Sequence, residues 1–257
     1  MASEQLDALN RALEAIGSTR RYDLIIHYAK QILAIDPNSY FAYSYLLLAY
    51  NNSKQYDLLK ATAEDALRIW PSQPRLYYWL HLYYLFRGGE DYVQARDLMR
   101  RGLELAPDEP LYYRYLAEIY LINWEPEKAA DLLRQAVDLN PSHAEYLSRY
   151  GLALLRSRRK EEAVAAAERA LEMAPNDYHV LNTVGQIFLF SGELDRAETF
   201  FRDALARLPT YDYFQKQLAT CFREKEDRSA RVEQGRSYTS MYLRQKGRKR
   251  FFDEDAS

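Results

Sequence analysis

Large apolar residues return along this chain at helical spacing, in pairs of stripes separated by polar residues. Tyr113, Leu116 and Tyr120 form one stripe, and Ala129, Leu133 and Ala136 form the next. Residues three and four apart share a helix face, so each stripe predicts a helix with one buried side. The same alternation recurs as Leu181, Val184 and Phe188 followed by Ala197, Phe201 and Ala204. Each pair of stripes closes on a proline. Pro37, Pro71, Pro107, Pro141, Pro175 and Pro209 lie 34 residues apart, except for 36 between Pro71 and Pro107. Proline stops a helix because it lacks an amide donor and restricts the residue before it. A fixed period of this size predicts a stack of similar helix pairs rather than one closed globule.

With each proline counted as position 32, the repeats align in register. Small residues meet at positions 8 and 20, as in Gly151 with Ala163 and Gly185 with Ala197, and predict close approach of the two helix backbones. Position 27 holds Ala66, Gly102, Ala136, Ala170 and Ala204, which leaves room for the first helix of the following repeat. Gly192 supplies the turn between two helices. This pattern resembles the tetratricopeptide repeat, W-x₂-L-G-x₂-Y…A-x₃-F…P.

The resemblance implies an all-α fold, a right-handed α-solenoid of about six helix-turn-helix repeats at 6–39, 40–73, 74–109, 110–143, 144–177 and 178–211. Tyr213, Phe214, Leu218 and Phe222 continue a first-helix stripe and predict a closing helix over 212–224 that covers the last apolar face. Residues 1–224 therefore read as the solenoid. Residues 225–257 read as a charged C-terminal tail, partly helical or disordered.

The repeats are not equally regular. The first two place Leu13 and Leu47 at position 8, and Ile25 and Leu59 at position 20. The third has His81 at position 8 and two extra residues in its turn, Arg87-Gly88-Gly89-Glu90-Asp91. Bulky side chains at these positions predict wider local packing, or a different curvature and groove in the N-terminal half.

The family's concave surface is built from the first helix of each repeat. Carried onto this chain, it presents Phe41, Ser44, Tyr45 and Leu48, then Arg75, Tyr78, Trp79, Leu82 and Phe86, then Leu111, Arg114, Tyr115 and Glu118. Repeats five and six offer a more polar face with Glu145, Arg149, Asn182 and Gln186. Of the 23 tyrosines, 14 lie from Tyr40 to Tyr120, more than the packing stripes need. Tyr45, Tyr78 and Tyr115 stand off the stripe. Tyrosine there suits an interface, burying large area while keeping a polar tip, or packs between neighbouring helices. The expected partner-binding residues are Arg75, Tyr78, Leu82, Phe86, Arg114, Tyr115 and Glu118. Some family members grip acidic chaperone tails with a clamp of Lys, Asn and Arg at fixed positions. Asn10 with Glu14, Ser44 with Leu48, Tyr78 with Leu82 and Arg114 with Glu118 do not match it.

Composition narrows the classes. The chain has 257 residues, 48% of them hydrophobic, and a formal net charge of −2, so no global field draws it to nucleic acid. The single Cys221 rules out an intramolecular disulfide and a cysteine metal cluster. The N-terminus lacks a signal-peptide pattern, and no apolar run is long enough to span a membrane. His27, His81, His143 and His179 are scattered and read as packing or surface histidines. No phosphate loop, metal-ligand pair or nucleophile elbow is present. No enzyme activity, cofactor or metal is expected.

Beyond Phe222, Arg244, Lys246, Arg248, Lys249 and Arg250 crowd together beside Tyr242, Leu243, Phe251 and Phe252. This segment reads as a solvated tail, as a patch for an anionic membrane surface, as the flank of a spanning segment outside this sequence, or as a nucleic-acid or import patch. Asp253, Glu254 and Asp255 offset it and weaken both the membrane-surface and the nucleic-acid reading. The expectation is a cytoplasmic, non-catalytic scaffold or adaptor that binds a peptide or helix of a partner protein in its concave groove. The alternative is a membrane-associated assembly factor localised through the basic tail. A third reading is a homo-oligomer joined through the aromatic face.

Overall fold

A computed structural model describes residues 2–87, 91–209 and 211–253, with side chains over 3–85, 91–209 and 211–233. The described residues form thirteen helices and no strand. Six hairpins follow in order: α1 (Ala2–Ile16) with α2 (Tyr22–Ile35), α3 (Tyr40–Asn52) with α4 (Tyr56–Ile69), and α5 (Pro74–Arg87) with α6 (Tyr92–Leu105). Next come α7 (Pro110–Ile122) with α8 (Pro126–Leu139), α9 (Ala144–Arg156) with α10 (Lys160–Met173), and α11 (Tyr178–Phe190) with α12 (Leu194–Arg207). The chain closes on α13 (Asp212–Asp253), a helix of 42 residues.

The recurring proline acts where the pattern places it. Every second helix stops two residues before it, at Ile35, Ile69, Leu105, Leu139, Met173 and Arg207. The residue between takes an extended φ, from −124° at Asp36 to −143° at Ala174, which is the conformation that a following proline imposes. Its amide still donates to the carbonyl four residues back, as from Trp70 to Ala66 O at 2.8 Å, so the last turn is hydrogen-bonded before the chain leaves it.

The turn inside each hairpin was only partly legible. Gly192 has φ +82°, but Lys54, Trp124 and Arg158 occupy the same left-handed conformation at +59°, +60° and +63°. Without glycine this costs roughly 1–2 kcal/mol per residue. What holds them there is the next amide, which closes on the carbonyl five residues back: Gln55 to Tyr50 O at 2.8 Å, Glu125 to Tyr120 O at 2.9 Å, and Arg159 to Leu154 O at 2.9 Å. These bonds satisfy carbonyls that the helix end leaves without partners. The inserted Gly88, Gly89 and Glu90 lie outside the described residues.

Contacts divide the chain into two compact bodies, Met1–Asn140 and Pro141–Ser257. In the first, Leu13, Ile25, Leu47 and Leu59 are at most 1% exposed. These are the bulky residues at the hairpin contact. The helices of the first two hairpins accordingly pack less closely on each other than later pairs do, and more of their contact is made from α2 to α3 and from α4 to α5. Wider local packing is the outcome. All three tryptophans, Trp70, Trp79 and Trp124, belong to this body.

In the second body α9 and α11 pack directly against one another. Gly151 lies so close to the next helix that a Cβ there would stand 3.0 Å from the carbonyl oxygen of Ala163, the pairing expected from small residues at that contact. Phe188, Phe201 and Phe214 fill the core. Helix α13 seals it with Phe214 and Cys221, both buried, and then continues past residue 224 without a break. Lys225 Nζ sits 2.6 Å from Asp195 Oδ1 and 2.5 Å from Glu198 Oε2, and Arg228 Nη1 donates to the Gly192 carbonyl at 2.9 Å. Docking therefore extends through Arg228. The basic residues Arg244, Lys246, Arg248, Lys249 and Arg250 fall on the helical backbone of α13, and their side chains lie outside the described residues. No helix among the described residues is long and apolar enough to cross a membrane.

Candidate functional site: an aromatic groove on α3, α5 and α7

The N-terminal body carries a groove of about 870 Å³ on its first helices. Helix α3 contributes Ser44, Tyr45 and Leu48; α5 contributes Arg75, Tyr78 and Trp79; α7 contributes Leu111, Tyr112 and Tyr115. Gly17 and Ser18, just after α1, also line it. A Cβ at Gly17 would stand 2.2 Å from the Tyr45 ring, so only the absence of a side chain lets that ring lie against the turn.

The centre of the groove is a joined pair of phenols. Tyr115 OH donates to Tyr78 OH at 3.1 Å, and the two rings stand 4.8 Å apart with their planes 40° from parallel. Behind Tyr115, the Arg114 guanidinium covers its ring at 3.9 Å and pairs with Glu118 at 2.9 Å. Beneath Tyr78, His81 is fully buried, and its Nδ1 donates to the Tyr78 carbonyl at 2.5 Å. A carbonyl can only accept, which places the ring proton on Nδ1 and leaves Nε2 an acceptor. Nε2 is buried and has no hydrogen-bond partner among the described residues.

Burial sets the protonation of the site. It lowers the His81 pKa to about 4, with Arg114 adding to the effect and the bond to Tyr78 opposing it, so the ring is neutral near pH 7. It raises the Tyr78 phenol well above its ordinary value. Tyr112 is pushed up to about 12, first by burial and then by the Glu109 carboxylate, with Arg75 pulling the other way. Both phenols therefore stay protonated and able to donate.

At the rim the charges differ in availability. The Glu109 carboxylate accepts from Leu111 N at 3.4 Å and caps α7. Arg75 is exposed and has no ion-pair partner among the described residues.

Of the residues expected at this face, Arg75, Tyr78 and Tyr115 line the groove. Arg114 and Glu118 sit behind it as a pair. Leu82 is 7% exposed and belongs to the hydrophobic core, because its position on α5 turns it inward beside Trp79 and Leu80. The Phe86 side chain lies outside the described residues. The sequence pattern did not single out Tyr112 or the Gly17–Ser18 turn. Tyr112 packs its ring over Gly102 at a position the repeat does not score, and Gly17 reveals itself only through the ring it admits.

The second body has a different surface. Glu145 and Arg149 pair at 2.8 Å, and Gln186 Nε2 donates to Tyr213 OH at 3.0 Å. A cleft of about 820 Å³ between the start of α12 and α13 includes Asp195, Lys225 and Arg228, whose contacts hold α13 in place. Among the described residues no group of three or more His, Cys, Asp or Glu is arranged to hold a metal ion.

A family model of the tetratricopeptide repeat matches residues 83–144, 123–178 and 150–212, together just over half of the chain. The chain belongs to the tetratricopeptide repeat family. Solved structures agree in fold. A tetratricopeptide repeat protein from Thermus thermophilus, TTC0263, is 22% identical over 69% of this chain and 95% of its own, with a TM-score of 0.60. The pilF structure from Pseudomonas aeruginosa is 15% identical over 85% of this chain and 99% of its own, with a TM-score of 0.63. YrrB, described as a tetratricopeptide repeat protein with an unusual peptide-binding site, is 17% identical over 73% of this chain and 96% of its own, at 0.51. None of the curated proteins compared matches the chain. Membership of this tetratricopeptide repeat family supports a protein-interaction scaffold, a class that is typically non-catalytic.

Proposed function

We propose that this tetratricopeptide repeat protein is an adaptor whose N-terminal groove holds a peptide or helix of a partner protein. The observation that carries the reading is the groove itself. Five aromatic side chains and Arg75, which has no ion-pair partner among the described residues, surround about 870 Å³ on one helical face. Aromatic residues and arginine are the side chains that dominate protein interfaces, and a concave apolar site with few polar groups is the usual form of a binding site. The description of YrrB as peptide-binding adds a structural relative with that property.

The test is partner retention. Wild type and the double variant Arg75→Glu, Tyr78→Ala are purified from the native cell and their co-purifying proteins compared, with circular dichroism as the control for folding. Loss of specific partners by a folded variant is the expected result. A folded variant that keeps every partner refutes the groove as the binding site.

A further inference from the structure

We infer that the groove's occupant is a second copy of this chain, which inserts the turn after α7 with Trp124 into the aromatic site and sets Glu127 against Arg75. This rests on the groove being a binding site and names what it holds.

The first observation is Trp124 itself. Its side chain is 86% exposed, so the fold gains almost nothing from the indole. The turn does not call for it either. The equivalent left-handed residues of three other hairpins are Lys54, Arg158 and Gly192, each charged or without a side chain. Holding a bulky residue in that conformation costs free energy, and a ring left in water forgoes the large area it could bury. Beside it, Ile122 is 42% exposed and Asn123 is exposed as well. The bond from Glu125 N to Tyr120 O at 2.9 Å pins this turn, so the projection is preorganised and loses little freedom on docking. Tryptophan is among the side chains that most often anchor an interface.

The second is the groove in the same body. Tyr45, Leu48, Tyr78, Leu111 and Tyr115 are half-buried there and leave apolar surface open. An indole brings an apolar ring and one N–H, a donor that needs an acceptor once buried. Ser44 Oγ gives its own proton to the Tyr40 carbonyl at 2.8 Å, so its lone pairs remain to accept. The Glu109 carboxylate is another acceptor at the rim. A chain does not fill its own groove in this way. Tyr115 lies in the first half of α7, and Trp124 follows the far end, at least roughly 10 Å away by helix rise alone.

The third is charge. Glu127 is exposed in the first turn of α8, three residues after Trp124, and like Arg75 it has no ion-pair partner among the described residues. The acid beside the projecting indole therefore answers the base of the aromatic groove. Projection and groove are different patches of one body, so the contact is heterologous and every joined pair leaves one of each open. Copies add head to tail, closing into a ring or extending. One turn entering one groove buries less than a standard interface, so the association is weak and depends on concentration.

The experiment is analytical ultracentrifugation of the full chain over about three decades of concentration, up to about 1 mM. An average mass that rises with concentration is expected. Trp124→Gly should weaken the association about thirtyfold, and Arg75→Glu about tenfold, with Glu127→Arg in the same chain restoring the second loss. Trp124 and Arg75 are both exposed, and unchanged circular dichroism confirms that each variant is folded. The sharpest sample mixes two defective chains. Trp124→Gly keeps the groove, and the double variant Arg75→Glu, Tyr78→Ala keeps the projecting turn. Neither should assemble alone, and together they should stop at a one-to-one dimer. A constant monomer mass, association that Trp124→Gly leaves unchanged, or a mixture that stays monomeric overturns the inference. None of these outcomes touches the groove assignment, which stands or falls on partner retention.

Discussion

Gly185→Ala sets two physical effects of opposite sign against each other. Gly185 lies within α11, where alanine is preferred over glycine by about 1 kcal/mol. Helix propensity alone therefore predicts stabilisation. The structure predicts the reverse. A Cβ at this position would stand 2.7 Å from Cε1 and 2.8 Å from Cδ1 of Phe201, and that ring is fully buried. Overpacking of this kind costs about 1–3 kcal/mol. The net expectation is destabilisation by about 1 kcal/mol, read as a lower urea midpoint in far-ultraviolet circular dichroism. The sign should invert when the ring is removed. In a Phe201→Leu background the same alanine has space, and its propensity becomes a gain of up to about 1 kcal/mol. The coupling between the two sites, about 1–3 kcal/mol, comes from the four-member cycle. A higher midpoint for Gly185→Ala in the otherwise natural chain would refute the packing argument.

His81 gives a pH dependence. Its folded pKa of about 4 lies below the ordinary histidine value of 6.5, so the unfolded chain binds the proton more readily. The stability contributed by keeping the ring neutral is complete above about pH 6.5 and is lost as pH falls towards about 4, on the order of 3 kcal/mol in all. Urea midpoints across that range should fall more steeply for wild type than for His81→Leu; equal slopes would contradict the assignment. Trp124→Gly relieves a left-handed residue whose side chain is 86% exposed, and should stabilise by about 1 kcal/mol in thermal melts. A lower melting temperature would show that the indole supports the fold. Truncation after Glu224 removes the Lys225 and Arg228 anchors and should speed amide exchange in α12 and the remaining α13, whereas truncation after Glu233 should not. Equal exchange in the two would mean that these contacts do not hold the helix.

The helices and their order were legible because the signals are local and repeated. A proline at each hairpin's end and an apolar residue every three or four positions leave little choice of period. The left-handed turns were legible only at Gly192, since Lys54, Trp124 and Arg158 are held there by the returning hydrogen bond rather than by their own preference. Arg75, Tyr78 and Tyr115 could be placed at the groove from register alone. Leu82 could not, because a difference of one ring position decides whether a residue near the edge of a helix face meets the core or the groove. The joint between Tyr78 and Tyr115, and the buried His81 beneath it, depend on how far α5 stands from α7, which no single repeat encodes.

The placement of Trp70, Trp79 and Trp124 gives the molecule a built-in reporter. Indole emission, excited where tyrosine does not absorb, comes entirely from the N-terminal body, while the helical signal comes from both. Trp79 is shielded in the core and Trp124 is already in water, so loss of structure in that body changes the emission of one and spares the other. A chain that melts as a single cooperative unit would show coincident optical transitions. If the two bodies melt separately, the helical signal alone would record the second, and the gap between the curves would measure how strongly one body depends on the other.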